Sequence, residues 1–250
     1  MQIGAVLPAA EVSGPGSTPG WLSVRSFAAA AEDRGLDSVW MFDHFFCQTS
    51  SGRREGMHEA WTTVSAVAAV TSRIQVGTLV LCSPFRNPGL VAKMAATAED
   101  ISAGRLVLGL GAGWHDPELA AFGFAADHLV DRFAEALPII VGLLQGDTVT
   151  VDGRYHDLRA TALVPPPARR VPILVAAEGP RMLRLTARHA DAWNTAWYGA
   201  PDDHLRSQLS AMRQALDTER RDPATLTRTV GIHVYHPDSG VPADPDDEAV

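Results

Sequence analysis

Short apolar runs alternate with longer alanine-rich stretches along almost the whole chain. "QIGAVLP" (2–8) reads as a strand, and "PGWLSVRSFAAAAEDRG" (19–35) as a helix that ends with Gly35 at its C-cap position. "SVWMFD" is the second strand, "EAWTTVSAVAAVTS" (59–72) the next helix, and "IQVGTLVLC" (74–82) the third strand. A third helix over 89–104 leads to the strand "RLVLGLG" (105–111). The rhythm then breaks. Between Ala112 and Pro172 the chain holds a helix (129–146), a hairpin "TVTVDGRYHDL" with Asp152 and Gly153 at its turn, and the run Pro165-Pro166-Pro167. Alternation resumes with strands at 172–177, 191–196 and 227–236 and helices at 180–190 and 202–220.

This order predicts parallel strands joined by right-handed crossovers. The strands lack the polar and apolar alternation of a half-exposed sheet, as expected where both faces are covered. Polar or glycine-rich residues follow most of the strands, which fits one rim of a (β/α)8 TIM-type barrel better than a doubly wound sheet, whose site concentrates on the first turn. The one dinucleotide-like stretch, "GLGAGW", lacks the third glycine and lies mid-chain. The expected barrel has an insertion between strands four and five and falls one strand short of eight: seven strands are found over 1–236, and 237–250 is an acidic, proline-rich tail or the start of a truncated helix, so either a longer barrel is shortened here or another chain is expected to cover the gap.

Composition narrows the possible partners. The chain has 250 residues, 46% of them hydrophobic and 20% charged, enough for one α/β domain with a large core. Twenty-one Lys and Arg stand against 29 acids, with no basic run longer than a pair such as Arg169-Arg170, which argues against nucleic acid and for a small organic molecule. Neither a leader nor a membrane span is visible, so a cytoplasmic location is expected. Cys47 and Cys82 make neither a disulfide framework nor a zinc pattern, and no metal is implied.

Candidate chemistry collects at the carboxyl ends of the strands. Asp43 and His44 end strand two beside Phe45 and Phe46, and an imidazole there can exchange a proton near neutral pH. Strand three ends at "CSPFRNP", where Asn87 can cap the next helix and Arg86 can bind an anion or serve structure. Strand four ends at "GLGAGWHDPE", whose glycines let a flat ligand approach the backbone and whose Trp114 offers a stacking face. Strand five ends at "AAEGPRM", where Gly179 and Pro180 open a helix whose free N–H groups suit a phosphate. Together these rims outline a long pocket for a cofactor shaped like flavin mononucleotide (FMN).

The blocks "GLDSVWMFDHF", "RIQVGTLVLCSPFRNPGLVAKMAATAEDISAGRLVLGLGAGWHDPELAAFG", "DRFAEALPII", "VDGRYHDL" and "ARHADAWN" resemble, in order, the luciferase-like monooxygenase superfamily, and most closely its branch using the deazaflavin coenzyme F420. The resemblance implies a (β/α)8 barrel, a homodimer, and a cofactor at the strands' carboxyl ends. It implies that His44 is catalytic, that Asp43 contacts the cofactor, and that Cys82-Ser83 carries a non-prolyl cis peptide against the ring. Ala112 and Gly113, with Trp114 beside them, would contact the ring, and the turn holding Gly179, Arg181 and Met182 the phosphate. Two departures stand out: Trp114 replaces the glutamate that sugar-phosphate dehydrogenases of the branch carry after this Gly-x-Gly, and Glu178-Gly179 replaces paired glycines. The implied activity is hydride transfer between F420 and an organic substrate, with Trp114 and the Phe45-Phe46 pair walling the substrate side. An oxygen-using monooxygenase with reduced FMN, and a flavin-binding protein without catalysis, are the alternatives. Asp43, His44, Cys82, Ala112 and Gly179 are expected to line one cleft.

Overall fold

Apolar runs too short for helices pair as strands, and in the computed structural model, which describes residues 1–11, 16–48, 52–198, 201–232 and 234, they form one curled parallel sheet. The first half runs β1 (Gly4–Val6), α1 (Trp21–Asp33), β2 (Ser38–Met41), a small antiparallel hairpin of β3 (Phe46–Gln48) and β4 (Arg54–Gly56), α2 (Ala60–Val70), β5 (Gln75–Thr78) and β6 (Leu81–Cys82). It continues with α3 (Pro88–Ser102), β7 (Leu106–Gly111), a short α4 (Asp116–Ala121) and α5 (Leu129–Gln145). The second half holds the hairpin β8 (Val149–Asp152) and β9 (Asp157–Thr161), then β10 (Ile173–Ala176), α6 (Pro180–His189), β11 (Ala192–Tyr198), α7 (Asp203–Thr218) and β12 (Thr227–Ile232).

Helix boundaries follow from local chemistry. Glu59 caps α2 by accepting from the N–H groups of Trp61 and Thr62, and Asn87 caps α3 by accepting from Gly89 and Leu90, with Pro88 at the first helical position. α5 stops at Gly146, whose φ of 91° reverses the chain at little cost to a residue without Cβ. The large strands run β1-β2-β5-β7-β10-β11-β12, each parallel to the next, and β6 prolongs the third by pairing with the end of β7. Val39, Val76, Leu108 and Val175 are fully buried in this sheet, beneath Val64, Val67, Ile140 and Leu143 from the helices. Among the described residues no strand joins β12 to β1, which leaves both as edges, and the proposed tail over 237–250 lies outside the described residues.

Several expectations change. The run 74–82 is not one strand: it breaks at a cis peptide between Leu79 and Val80. The non-prolyl cis bond expected at Cys82–Ser83 is therefore corrected to Leu79–Val80, three residues earlier. The chain leaves the β5 ladder at this point, and Thr78 bridges the gap: its Oγ1 donates to the Gly109 carbonyl (2.7 Å) and accepts from the Gly109 N–H (3.0 Å). A Cβ at Gly109 would lie 1.9 Å from the Thr78 carbonyl, and one at Gly111 would lie 2.7 Å from a Val80 methyl, so both positions exclude a side chain. After Cys82 the backbone instead enters a 3₁₀ turn, Ser83–Phe85. The β3–β4 hairpin and α4 were not anticipated, because three-residue strands and a six-residue helix carry too few positions to show a period. The Asp152-Gly153 hairpin forms with a longer turn over 153–156, whose N–H groups at Arg154, Tyr155 and His156 all donate to Glu135 of α5.

Candidate functional site

At the carboxyl end of β2 the chain passes from a buried strand straight into Asp43, whose side chain is wholly buried. Such a carboxylate needs partners, and both its oxygens have them. Oδ2 accepts from the Cys82 N–H (2.7 Å), and Arg86 donates to Oδ2 (2.6 Å) and Oδ1 (3.0 Å) in a two-pronged clamp; the same guanidinium also reaches Glu59 at the start of α2. Burial pushes the Asp43 carboxyl above its ordinary range, and the arginine and the Cys82 N–H pull against it. Burial would raise Glu59 too, but hydrogen bonds from Thr62 and Trp61 and the Arg86 charge hold it below the usual carboxylate range. Asp43 thus fastens the end of β2 to β6 and to the turn before α3.

One residue on, His44 meets the other side of the rim. Its Nδ1 lies 2.8 Å from Oε2 of Glu118, a residue of α4 that is 1% exposed. The other oxygen of Glu118 accepts from the N–H of Phe45 and, at 3.4 Å, from that of Phe46. Burial alone would raise Glu118, yet the hydrogen bond from His44, the Phe45 N–H and the charge of His44 hold it below its ordinary value. The Nε2 of His44 has no protein partner among the described residues, and its side chain keeps 16% of its surface in solvent. Trp114, 62% exposed, stands edge-on to the imidazole with ring centroids 5.6 Å apart, and His115 lies at 6.0 Å.

Gly113 makes this approach possible. Its φ is +84°, and a Cβ there would sit 2.9 Å from the Cys82 Sγ and 3.4 Å from Pro84. Beside it Phe45 packs between Phe85 and Phe122, each at 4.4 Å, with Phe124 at 6.2 Å, so an aromatic wall flanks the histidine. Asp43, His44, Cys82, Gly113 and Trp114 are thus brought into one cluster, with Ala112 buried at the end of β7 and Ser83 beginning the turn that carries Arg86. His44, His115 and Glu118 also bring one ligand atom each within 4.8 Å of one another, a set able to hold a divalent ion that the sequence reading did not single out.

The other three candidates sit at the next strand end. Gly179 precedes α6 with an extended backbone and open space where a Cβ would be, and no side chain caps the helix. Arg181 is half exposed and paired with Asp131 of α5, while the Met182 side chain is buried in the main core, which leaves its backbone N–H facing the helix start. No hydrogen bond or ring contact links these residues to the His44 cluster among the described residues; the link is β7 itself, which pairs directly with β10.

Glu118, Arg86, Glu59 and His115 complete the site from segments that are distant in sequence. "WHDPE" displayed Glu118 and His115 and "FRNP" displayed Arg86, but the partners of Glu118 and Arg86 lie 74 and 43 residues away, beyond the reach of any local pattern.

Seven parallel strands with a histidine, a glycine-rich turn and an open helix start at their carboxyl ends define a barrel-type scaffold with a candidate site on one rim. Residues 1–241 match the luciferase-like monooxygenase family, and the chain belongs to it. Among curated proteins it is 35% identical over 220 residues to the F420-dependent glucose-6-phosphate dehydrogenase of Kineococcus radiotolerans, covering 86% of this chain and 63% of that protein. It is 34% identical over 229 residues to the phthiodiolone/phenolphthiodiolone dimycocerosates ketoreductase of Mycobacterium bovis, covering 84% of this chain and 60% of that protein. The chain therefore spans less than two thirds of the length of these relatives. A solved F420-dependent secondary alcohol dehydrogenase, in complex with an F420-acetone adduct, superposes with a TM-score of 0.78 at 24% identity, covering 92% of this chain and 68% of that one.

Proposed function

We propose that this chain carries the cofactor-binding side of an oxidoreductase that moves a hydride between coenzyme F420 and a small organic substrate. The observation that carries the reading is the His44 imidazole, fixed through Nδ1 by a buried carboxylate and with Nε2 unpartnered among the described residues, beside an exposed tryptophan at the strand ends. The F420-dependent relative at 35% identity supports the choice of cofactor. The residues fit such a group: Ala112, Gly113 and Trp114 offer backbone and an aromatic face to a flat ring, and the uncapped start of α6 offers N–H groups, with Arg181 nearby, to a phosphate. Bound F420 supplies the hydride acceptor or donor. His44 takes up or returns, at Nε2, the proton that accompanies the hydride. Trp114 and the cluster of Phe45, Phe85 and Phe122 give the substrate an apolar surface near that nitrogen.

The test is a titration of the protein with F420, followed by quenching of the cofactor's fluorescence, alongside the same titration with FMN. Saturable binding of F420, weakened by substitutions in the Gly113 and Gly179 turns, is expected; binding of FMN alone would move the chain to the oxygen-using alternative, and binding of neither would refute the reading. A homodimer in the cytoplasm is the setting the family resemblance implies, and light scattering of the purified protein checks the assembly. No helix among the described residues is long and apolar enough to cross a membrane.

A further inference from the structure

Glu118 is a buried carboxylate with four donors or potential donors around it: the N–H groups of Phe45 and Phe46, the Nδ1 of His44 at 2.8 Å, and the Nδ1 of His115 at 3.5 Å. The last is too long for a hydrogen bond, and His115 Nδ1 is buried without a partner. An ionised carboxylate can only accept. Oε1 is taken by the backbone of the Phe45-Phe46 segment, so Oε2 can face His44 only if Nδ1 of that ring bears the hydrogen. A neutral His44 then has its lone pair on Nε2, the nitrogen with no hydrogen-bond partner among the described residues.

We infer that Glu118 is a positioning residue: from α4 it locks His44 in the Nδ1–H tautomer, so that Nε2 stands bare to exchange the proton of the reaction. The role rests on the oxidoreductase reading only for its catalytic consequence; the tautomer itself is a property of the cofactor-free protein. The 2.8 Å separation is that of a hydrogen bond and shorter than the roughly 3.3 Å between two ligands of a tetrahedral zinc with bonds of about 2.0–2.1 Å. Glu118 also anchors the first residues after His44, so one side chain sets both the path of the backbone and the rotation of the ring.

A substitution that keeps the shape separates these roles. In Glu118→Gln the amide oxygen must still accept from the Phe45 N–H, which turns the NH₂ group toward His44 Nδ1. That nitrogen must then accept, and the imidazole reverses to the Nε2–H form. The experiment is long-range ¹H–¹⁵N correlation of ¹⁵N-histidine-labelled protein without cofactor, at a pH where the imidazoles are neutral. The wild type is expected to show a protonated Nδ1 and a bare Nε2 for His44, and Glu118→Gln the reverse. A wild-type His44 protonated on Nε2, or an unchanged pattern in Glu118→Gln, would overturn the inference; the first readout needs no variant to fold. In turnover with F420, the same variant is expected to lose about 10²-fold or more in kcat while its F420 affinity stays within about twofold. A lost affinity with kcat preserved would count against positioning. Should the protein fail to bind F420 at all, the functional reading falls while the nitrogen shifts still decide the role of Glu118.

Discussion

The two rims that make up the candidate site are built in opposite ways. Around His44 the carboxylates and the ring's Nδ1 are tied down: Asp43 by Arg86 and the Cys82 N–H, the histidine by Glu118, and Glu118 by two backbone donors. Around Gly179 almost nothing is tied: the helix start is uncapped, Glu178 is exposed, and Arg181 makes a single ion pair at the surface. The difference matches the tasks proposed for the two rims. A group that transfers a proton must hold one nitrogen within a fraction of an ångström of the reacting atom, which takes partners from several elements. A phosphate cradle needs only the unsatisfied N–H groups that any helix start supplies, and filling them with side chains would close the site.

The sharpest break between the rims is expected from their arginines. Arg86→Met leaves Asp43 buried without its charge partner and should cost about 3–5 kcal/mol of stability, read as a lower midpoint in urea denaturation. Arg181→Met removes a surface pair worth about 0–1 kcal/mol and should leave the midpoint almost unmoved while weakening F420 binding. Equal losses for the two variants would erase the distinction.

His44→Ala should reduce turnover by about 10²- to 10⁴-fold with F420 affinity nearly preserved, measured by steady-state kinetics beside the fluorescence titration. The proposed function puts the proton on the tied rim and the phosphate on the open one, so the two quantities should separate.

The glycines offer a smaller contrast. Gly113→Ala combines a φ of +84° with a Cβ 2.9 Å from sulfur and should cost about 1–2 kcal/mol, whereas Gly179→Ala, with φ −63° and open space, should be near neutral in thermal unfolding. Similar melting temperatures for the pair would show that the Gly113 turn is looser than its contacts imply.

The smallest effect concerns acid. Glu118 is held below its ordinary value of 4.5, so its contribution to stability is complete above that pH and is lost as pH falls through its lower folded value. Asp43 runs the other way: burial raises it, so its ionised form is disfavoured and protonation near its raised value relieves the cost. Melting temperatures across the acid range should therefore decline less steeply in Glu118→Gln than in the wild type.

How much of this could be read from the sequence divides along the same line. The starts of the seven strands, the Asn87 cap, the Gly35 and Gly146 helix ends and the Gly179-Pro180 helix start are local patterns, and each appears within a residue or two of its expected place, whereas the third strand breaks where none was expected. His44 and Trp114 were visible because they follow strands. Glu118 was not, since a carboxylate three residues after His115 in "WHDPE" reads as an ordinary first-turn acid until the fold brings it against residue 44. The cis bond was misplaced for a related reason: whether the third strand breaks before or after Cys82 depends on Gly109 and Gly111 of its neighbour, where Val80 has to fit. Local chemistry reveals elements and their ends, while the partners that tune a site come from tertiary pairing.

The account turns on the two rims serving one ligand. That is tested most directly by titrating ¹⁵N-labelled protein with F420 and following the Trp114 and Gly113 signals together with the backbone amides of Gly179, Arg181 and Met182. The account predicts that both groups shift along a single binding curve at the same F420 concentration. Shifts confined to the His44 rim, with the Gly179 turn silent at saturation, would contradict it.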